Sequence, residues 1–138
     1  MPVMSAARVL RIIDETPSGQ PLHELTVELR LASERVTVRE LIERRVRAEV
    51  ERHNAAPSPY FQGLVQPTEA ERELNGYRLR GAQRIDADAQ VRLATESFAR
   101  QGFLLLVDDD QVEDLADEVV LTPDTIVHFV KLVPLVGG

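Results

Sequence analysis

An α+β fold is predicted by three features of the sequence. Leu25, Val27, Leu29 and Leu31 alternate with Thr26, Glu28 and Arg30, the period of two expected of a strand with one buried face. From Val38, apolar residues recur every fourth position at Ile42, Val46 and Val50, which is the stripe of an amphipathic helix. Phe103 to Val107 (FLLLV) is a continuous apolar run, too short for a buried helix and suited to an interior strand.

Taken in order, Met4 to Glu15 is apolar-rich and is stopped by Thr16-Pro17-Ser18-Gly19-Gln20-Pro21, a cluster of turn formers. It reads as the first arm of a hairpin whose second arm is the alternating segment, although Ser5-Ala6-Ala7 also suits a helix start. Thr37 and Glu40 have the spacing of a capping box, in which the hydroxyl accepts from an early helical N–H and the carboxylate reaches back to the cap. This opens the main helix, whose apolar stripe is expected to lie on a sheet. The pattern weakens from Asn54 to Arg84: Ala55-Ala56-Pro57-Ser58-Pro59 is a break, Thr68 to Leu74 suits a short helix, and Asn75 to Arg80 suits a turn followed by a strand. Asp86 is placed to cap a second helix carrying Val91, Ala94 and Phe98 on one face, with Gly102 expected at its C′ position. After the FLLLV strand, Asp108-Asp109-Asp110 makes a turn, Val112 to Leu115 pairs back, and Ala116 to Leu121 crosses over. The turn Thr122-Pro123-Asp124 then feeds a last strand from Thr125 to Val133. That strand is apolar on both alternations, Ile126/Val130/Leu132 and Val127/Phe129/Val133, so the pattern leaves open which set faces the core.

Composition removes several classes of function. The chain of 138 residues has no cysteine, which excludes disulfides, thiolate metal sites and a cysteine nucleophile. A net charge of -7, with 15 arginines interleaved among acids, disfavours a phosphate backbone as partner, so nucleic acid is not expected. No apolar run behind a basic start resembles a signal peptide and none approaches a membrane span, so no membrane partner is expected and a cytoplasmic location is. Lys131 is the single lysine.

The sequence of elements, strand, strand, capped helix, insertion, strand, short strand, loop, closing strand and Gly137-Gly138, resembles ubiquitin and its β-grasp relatives. The segment FLLLVDDDQVEDLADEVVLTPDTIVHFVKLVPLVGG (Phe103 to Gly138) carries most of the likeness. The resemblance implies one ubiquitin-like β-grasp domain over 1–138, with a mixed four- to five-stranded sheet, a main helix, an inserted helix-containing segment over about 55–102 and a flexible tail over 134–138. The tail Leu132-Val133-Pro134-Leu135-Val136 departs from the family in being apolar where ubiquitin's is basic, which argues against recognition by the same acidic partner surfaces, and the match as a whole resembles bacterial ubiquitin-like modifiers more than eukaryotic ubiquitin.

The resemblance also implies a chemistry. The Gly138 carboxylate would be adenylated by an activating-enzyme-like protein, passed as a thioester to the cysteine of a conjugating-enzyme-like protein, and joined to an amine of a target protein. An isopeptidase-like protease would reverse the attachment. A terminal Gly137-Gly138 suits such a route because residues without Cβ thread a narrow channel. The five residues from Pro134 to Gly138 reach roughly 16 Å at ~3.3 Å each, and Pro134, lacking an N–H, ends sheet pairing. Leu135 and Val136 would be gripped by the partner's channel, and an apolar sheet face that includes Phe129 would dock the body unless the second helix covers it. With Lys131 the one possible side-chain acceptor, single attachments or linkage through Met1 are expected rather than lysine-linked chains. The chain itself would be no enzyme and would need no cofactor or metal.

Other constellations read as structure. Asp108, Asp109, Asp110, Glu113 and Asp114 lack the spacing and glycine of a calcium loop, and His23, His53 and His128 have no paired ligand spacing. Two further functions share the resemblance: a sulfur carrier that ends in a thiocarboxylate, and a noncovalent interaction domain with an inert tail. The ~50-residue elaboration at 55–102 is superfluous for a minimal sulfur carrier, where a domain of ~60 residues already buries a core.

Overall fold

A computed structural model of the chain describes residues 6–31, 35–68, 70–73 and 76–132. They form two compact units, one of Met1–Val38 with Phe98–Gly138 and one of Arg39–Ser97, the second interrupting the first in sequence. The chain is α+β: a mixed five-stranded sheet, two smaller antiparallel sheets and two helices. No helix among the described residues is long and apolar enough to cross a membrane.

In the first unit, β1 (Ala6–Glu15) and β2 (Pro21–Leu31) form the expected hairpin, with strand and not helix at Ala6. The second arm starts at Pro21, four residues earlier than the alternation indicates, because Thr16–Gln20 closes a tight loop. There Thr16 N–H donates to Gln20 C=O and Gly19 N–H to Thr16 C=O, both at 2.9 Å. Gly19 sits at φ +86°, a conformation that glycine adopts without a Cβ clash.

Three more strands complete this sheet: β7 (Phe103–Val107), β8 (Asp110–Val112) and β10 (Ile126–Lys131), in the order β2-β1-β10-β7-β8. β1 and β10 run parallel at the centre, and the other neighbours are antiparallel, an arrangement compatible with a β-grasp. The register aligns rows of side chains: Ile12, Val127 and Val107 form one row, and Asp14, Phe129 and Leu105 the next. Ile12, Val127, Leu105 and Phe129 are sealed from solvent. The Phe129 ring lies 5.8 Å from Phe103, and Phe103 lies 5.7 Å from Phe98. The ambiguity of the last strand is thereby settled: Val127 and Phe129 face the core. Phe129 is fully buried and cannot belong to an exposed docking face, which corrects that expectation.

The β7–β8 hairpin turns at Asp108 (φ 49°) and Asp109 (φ 71°). Two consecutive left-handed residues match the twist of a two-residue hairpin. β8 therefore pairs back at once over 110–112, and not over 112–115. The crossover hides a further strand, β9 (Glu118–Val120), paired with β3 (Arg35–Thr37). Thr37 ends β3 at the threshold of α1 (Val38–Ala55), and Val38 N–H donates to Asp117 C=O at 2.8 Å.

In the second unit, the expected stripe of α1 is buried at Ile42, Val46 and Val50, with Leu41 beside it. A charged row, Arg45 and Glu49, is buried as well; the two ion-pair one turn apart, and Glu49 Oε2 accepts the N–H of Leu64 at 3.1 Å. Hydrogen bonding of this kind is what makes a buried carboxylate tolerable. Within the helix expected over Thr68 to Leu74, the described residues Glu71–Glu73 instead form β5, pairing with β6 (Gly76–Arg78), which also pairs with β4 (Tyr60–Phe61). Cross-strand pairing overrides the helical propensity of Glu71-Arg72-Glu73. Of the turn-then-strand reading of Asn75 to Arg80, the strand is present at Gly76–Arg78, and Asn75 lies outside the described residues.

Asp86 caps α2 (Ala87–Ala99) as expected, its Oδ1 accepting the Ala89 N–H at 3.2 Å. Arg47 of α1 joins Asp88 at 2.8 Å and Glu43 at 3.1 Å, and these bonds, Asp88 first, push the guanidinium pKa further up. At its far end α2 departs from expectation. Gln101 (φ 60°), and not Gly102, takes the left-handed turn, and its N–H donates to Phe98 C=O at 3.0 Å.

Candidate functional site at the end of the closing strand

Parallel pairing brings the carboxyl ends of β1 and β10 together, with Asp14 opposite Phe129 and Glu15 opposite Val130. Asp14 occupies the position that continues Leu10 and Ile12 on the buried face, and it is 2% exposed. A carboxylate there requires charged or hydrogen-bonding partners. One of them is the chain's single lysine: Lys131 Nζ lies 3.8 Å from Asp14 Oδ2, with its side chain 20% exposed. Lys131 also ends the β10–β7 ladder, opposite Phe103.

On the opposite alternation, His128 stands across from Ile13 and Leu106. Its Nδ1 lies 3.3 Å from Glu15 Oε1 but makes no aligned hydrogen bond among the described residues, although the atom is buried. The contact is within ion-pair distance but outside hydrogen-bond geometry, and it is ionic only when the imidazole is protonated. Asp14, Glu15, His128 and Lys131 thus bracket the strand end from both faces, at the root of the segment leading to Gly138.

Of the residues expected to act, Lys131 is placed here, paired with a buried carboxylate and not extended into solvent. Leu132, the last described residue, is 37% exposed. Leu135, Val136, Gly137 and Gly138 lie outside the described residues, as does Pro134. Asp14 and His128 were not singled out as functional from the sequence. The readable signal for Asp14 was an acid in phase with the buried alternation Leu10, Ile12.

The acidic run from Asp108 to Asp114 serves its turns. Asp108 Oδ1 accepts the Ile126 N–H at 3.0 Å while Asp108 N–H donates to Ile126 C=O at 3.1 Å, and Asp114 Oδ1 accepts the Ala116 N–H at 2.8 Å. Among the described residues no group of three or more acids and histidines is placed to hold a metal ion. Comparison with protein-family models, with curated proteins and with solved structures finds no match to this chain.

Proposed function

We propose that this chain is a ubiquitin-like protein modifier of a bacterial conjugation system, built on an elaborated β-grasp. The observation that carries the reading is the position of β10: a central closing strand, parallel to β1 and antiparallel to β7, whose sequence continues through an apolar Leu132–Val136 into Gly137-Gly138. A strand fixed on both sides gives a rigid base from which a tail is presented to a partner.

In this reading the Gly138 carboxylate attacks the α-phosphate of ATP on an activating-enzyme-like protein, releasing pyrophosphate and forming an acyl-adenylate. A partner's cysteine thiolate then displaces AMP to give a thioester. A target amine displaces the thiol, losing a proton, and forms the amide that an isopeptidase-like protease hydrolyses. The chain contributes the carboxylate, the two glycines and the grip of Leu135 and Val136. Its one lysine, turned toward Asp14, is poorly placed to accept a further copy.

The test is recovery of conjugates from the native cell. Trypsin cuts after Lys131 and leaves Leu132 to Gly138 on the acceptor, a distinctive seven-residue branch. Branched peptides that vanish when Gly138 is deleted are expected. Their absence with the activating partner present would sink the proposal. An oxygen-to-sulfur mass gain on Gly138 would replace it with sulfur carriage, and activity surviving the deletion would point to a noncovalent domain.

A further inference from the structure

β2 is the outermost strand of the five-stranded sheet: it pairs with β1, and among the described residues no strand pairs with its other side. It is 11 residues long, whereas β8 at the opposite edge has 3. Natural edges are commonly protected by shortness, charged side chains, lysine above all, proline or a bulge. β8 has the first of these protections. After Pro21 the sequence of β2 contains no proline, glycine or lysine, its charges Glu24, Glu28 and Arg30 are of both signs and so can be matched by a partner strand, and its register irregularity falls at the loop end, between Asp14 and Glu15 of its partner.

We propose that this edge is a self-association surface on which β2 of a second copy adds antiparallel across a two-fold axis, joining the two sheets. Symmetry restricts how this is done. Hydrogen-bonded and non-hydrogen-bonded pairs alternate along an antiparallel ladder, and the two-fold makes each pair equivalent to its mate, so the ladder must centre on a residue opposite its own copy. Centring on Thr26 uses the whole strand but sets Glu24 opposite Glu28 twice. Centring on Glu28 sets that carboxylate opposite itself. Centring on Leu25 sets Leu22 opposite Glu28, and centring on Leu29 leaves only 27–31 paired. Centring on Val27 pairs 23–31 throughout, with Glu24 opposite Arg30 twice and Leu25 opposite Leu29 twice. Unlike charges directly opposite one another favour a strand pair and like charges oppose it. The Leu25-centred register is as long, nine residues, and also avoids like-charge pairs, but only the Val27-centred one sets unlike charges directly opposite. This inference is independent of any conjugation at Gly138.

Sedimentation of the full chain at ~0.15 M salt, where long-range repulsion between copies is screened beyond ~8 Å, tests it. The wild type is expected to dimerise in the micromolar range. Glu24→Arg sets arginine opposite arginine and Arg30→Glu sets glutamate opposite glutamate, so each alone is expected to raise the dissociation constant at least tenfold. The double variant Glu24→Arg/Arg30→Glu is expected to return within about threefold of wild type. A wild type that stays monomeric up to about 100 µM would overturn the proposal, as would a double variant no better than the singles. If the charge variants do not fold, the cysteine-free chain allows a second test. Val27→Cys is expected to oxidise to a disulfide-linked dimer far faster than Thr26→Cys, whose own copy would lie diagonally across the ladder at ~7–8 Å. Equal rates would overturn the register and with it the proposal.

Discussion

Asn54 and Ile85 hold one another by a reciprocal pair of hydrogen bonds: the Asn54 amide donates to Ile85 C=O, and its Oδ1 accepts the Ile85 N–H, both at 2.9 Å. The side chain imitates a neighbouring strand for one residue, and the reciprocity fixes which way the amide points. One position earlier, His53 Nε2 contacts Gln83 C=O at 2.7 Å, and its ring meets Phe61 edge-on at 5.3 Å. The last turn of α1 thus clamps the chain that leads into α2. Asn54→Ala leaves a part-buried N–H and C=O without these partners and is expected to lower unfolding stability by about 1–3 kcal/mol, read as a lower urea midpoint at unchanged slope. A midpoint equal to that of an exposed control such as Gln62→Ala would show the clamp to be dispensable.

Gly76 and Gly81 should respond unequally to alanine. A Cβ on Gly76 would come within 2.5 Å of the Tyr60 ring and 2.9 Å of the Phe61 carbonyl oxygen, whereas one on Gly81 meets nothing within 4 Å. The backbone carbonyl cannot swing aside as a side-chain tip does. Gly76→Ala is expected to lose about 1–3 kcal/mol through overpacking, while Gly81→Ala stays within about 0.5 kcal/mol of wild type. Chemical denaturation of both variants checks the contrast.

Glycine is expected to help where the fold has placed a different residue. Gln101 adopts φ 60°, which strains an L-residue by roughly 1–2 kcal/mol, partly offset in a glycine variant by the greater freedom of the unfolded chain. Gln101→Gly should therefore stabilise by about 0.5–1 kcal/mol and raise the melting temperature. A fall in melting temperature would mean that the Gln101 side chain contributes more than its backbone strain removes.

The Asp14–Lys131 pair predicts coupling. Lys131→Met removes a cation from beside a buried carboxylate and is expected to destabilise by about 1–3 kcal/mol, and Asp14→Asn in the same background should recover part of the loss. A double-mutant cycle by denaturation, with a coupling of at least about 0.5 kcal/mol, is the expected result. Strict additivity would mean that the 3.8 Å separation carries no energy.

Legibility in the sequence followed the length and isolation of each signal. The α1 stripe, the Asp86 cap and the FLLLV strand could be read because each is set by residues close together in the chain. β3 and β9 could not: each has three residues and exists through a partner more than half the chain away. Glu71-Arg72-Glu73 looks helical because its residues are good helix formers, and only pairing with Gly76–Arg78 makes it a strand. The left-handed turn at the end of α2 was assigned to Gly102 on residue type, yet the helix ends a residue sooner and Gln101 bears the strain. At the candidate site, Gly137 and Gly138 were visible as a terminal pattern. The charged bracket at the end of β10 was not, because Asp14 and Lys131 meet only through the parallel register of β1 and β10.

Because β1 is synthesised early and its central ladder partner β10 late, the order of synthesis and the order of assembly cannot coincide. Arg39–Ser97 is one uninterrupted stretch whose strand pairs, Tyr60 with Arg78 and Glu71 with Arg78, join residues close in sequence, and it can condense while the ribosome is still translating. The β1–β2 hairpin emerges before it and must wait, since closing the parallel pair from Arg11 opposite Ile126 bridges almost the whole chain and carries the entropy of that long loop. During that interval a two-stranded ribbon, marginal by itself, leaves both of its edges unsatisfied. The nascent polypeptide is then most open to chaperone capture or to mispairing with another copy, and the interval ends only once β10 has left the ribosome and Lys131 can reach Asp14.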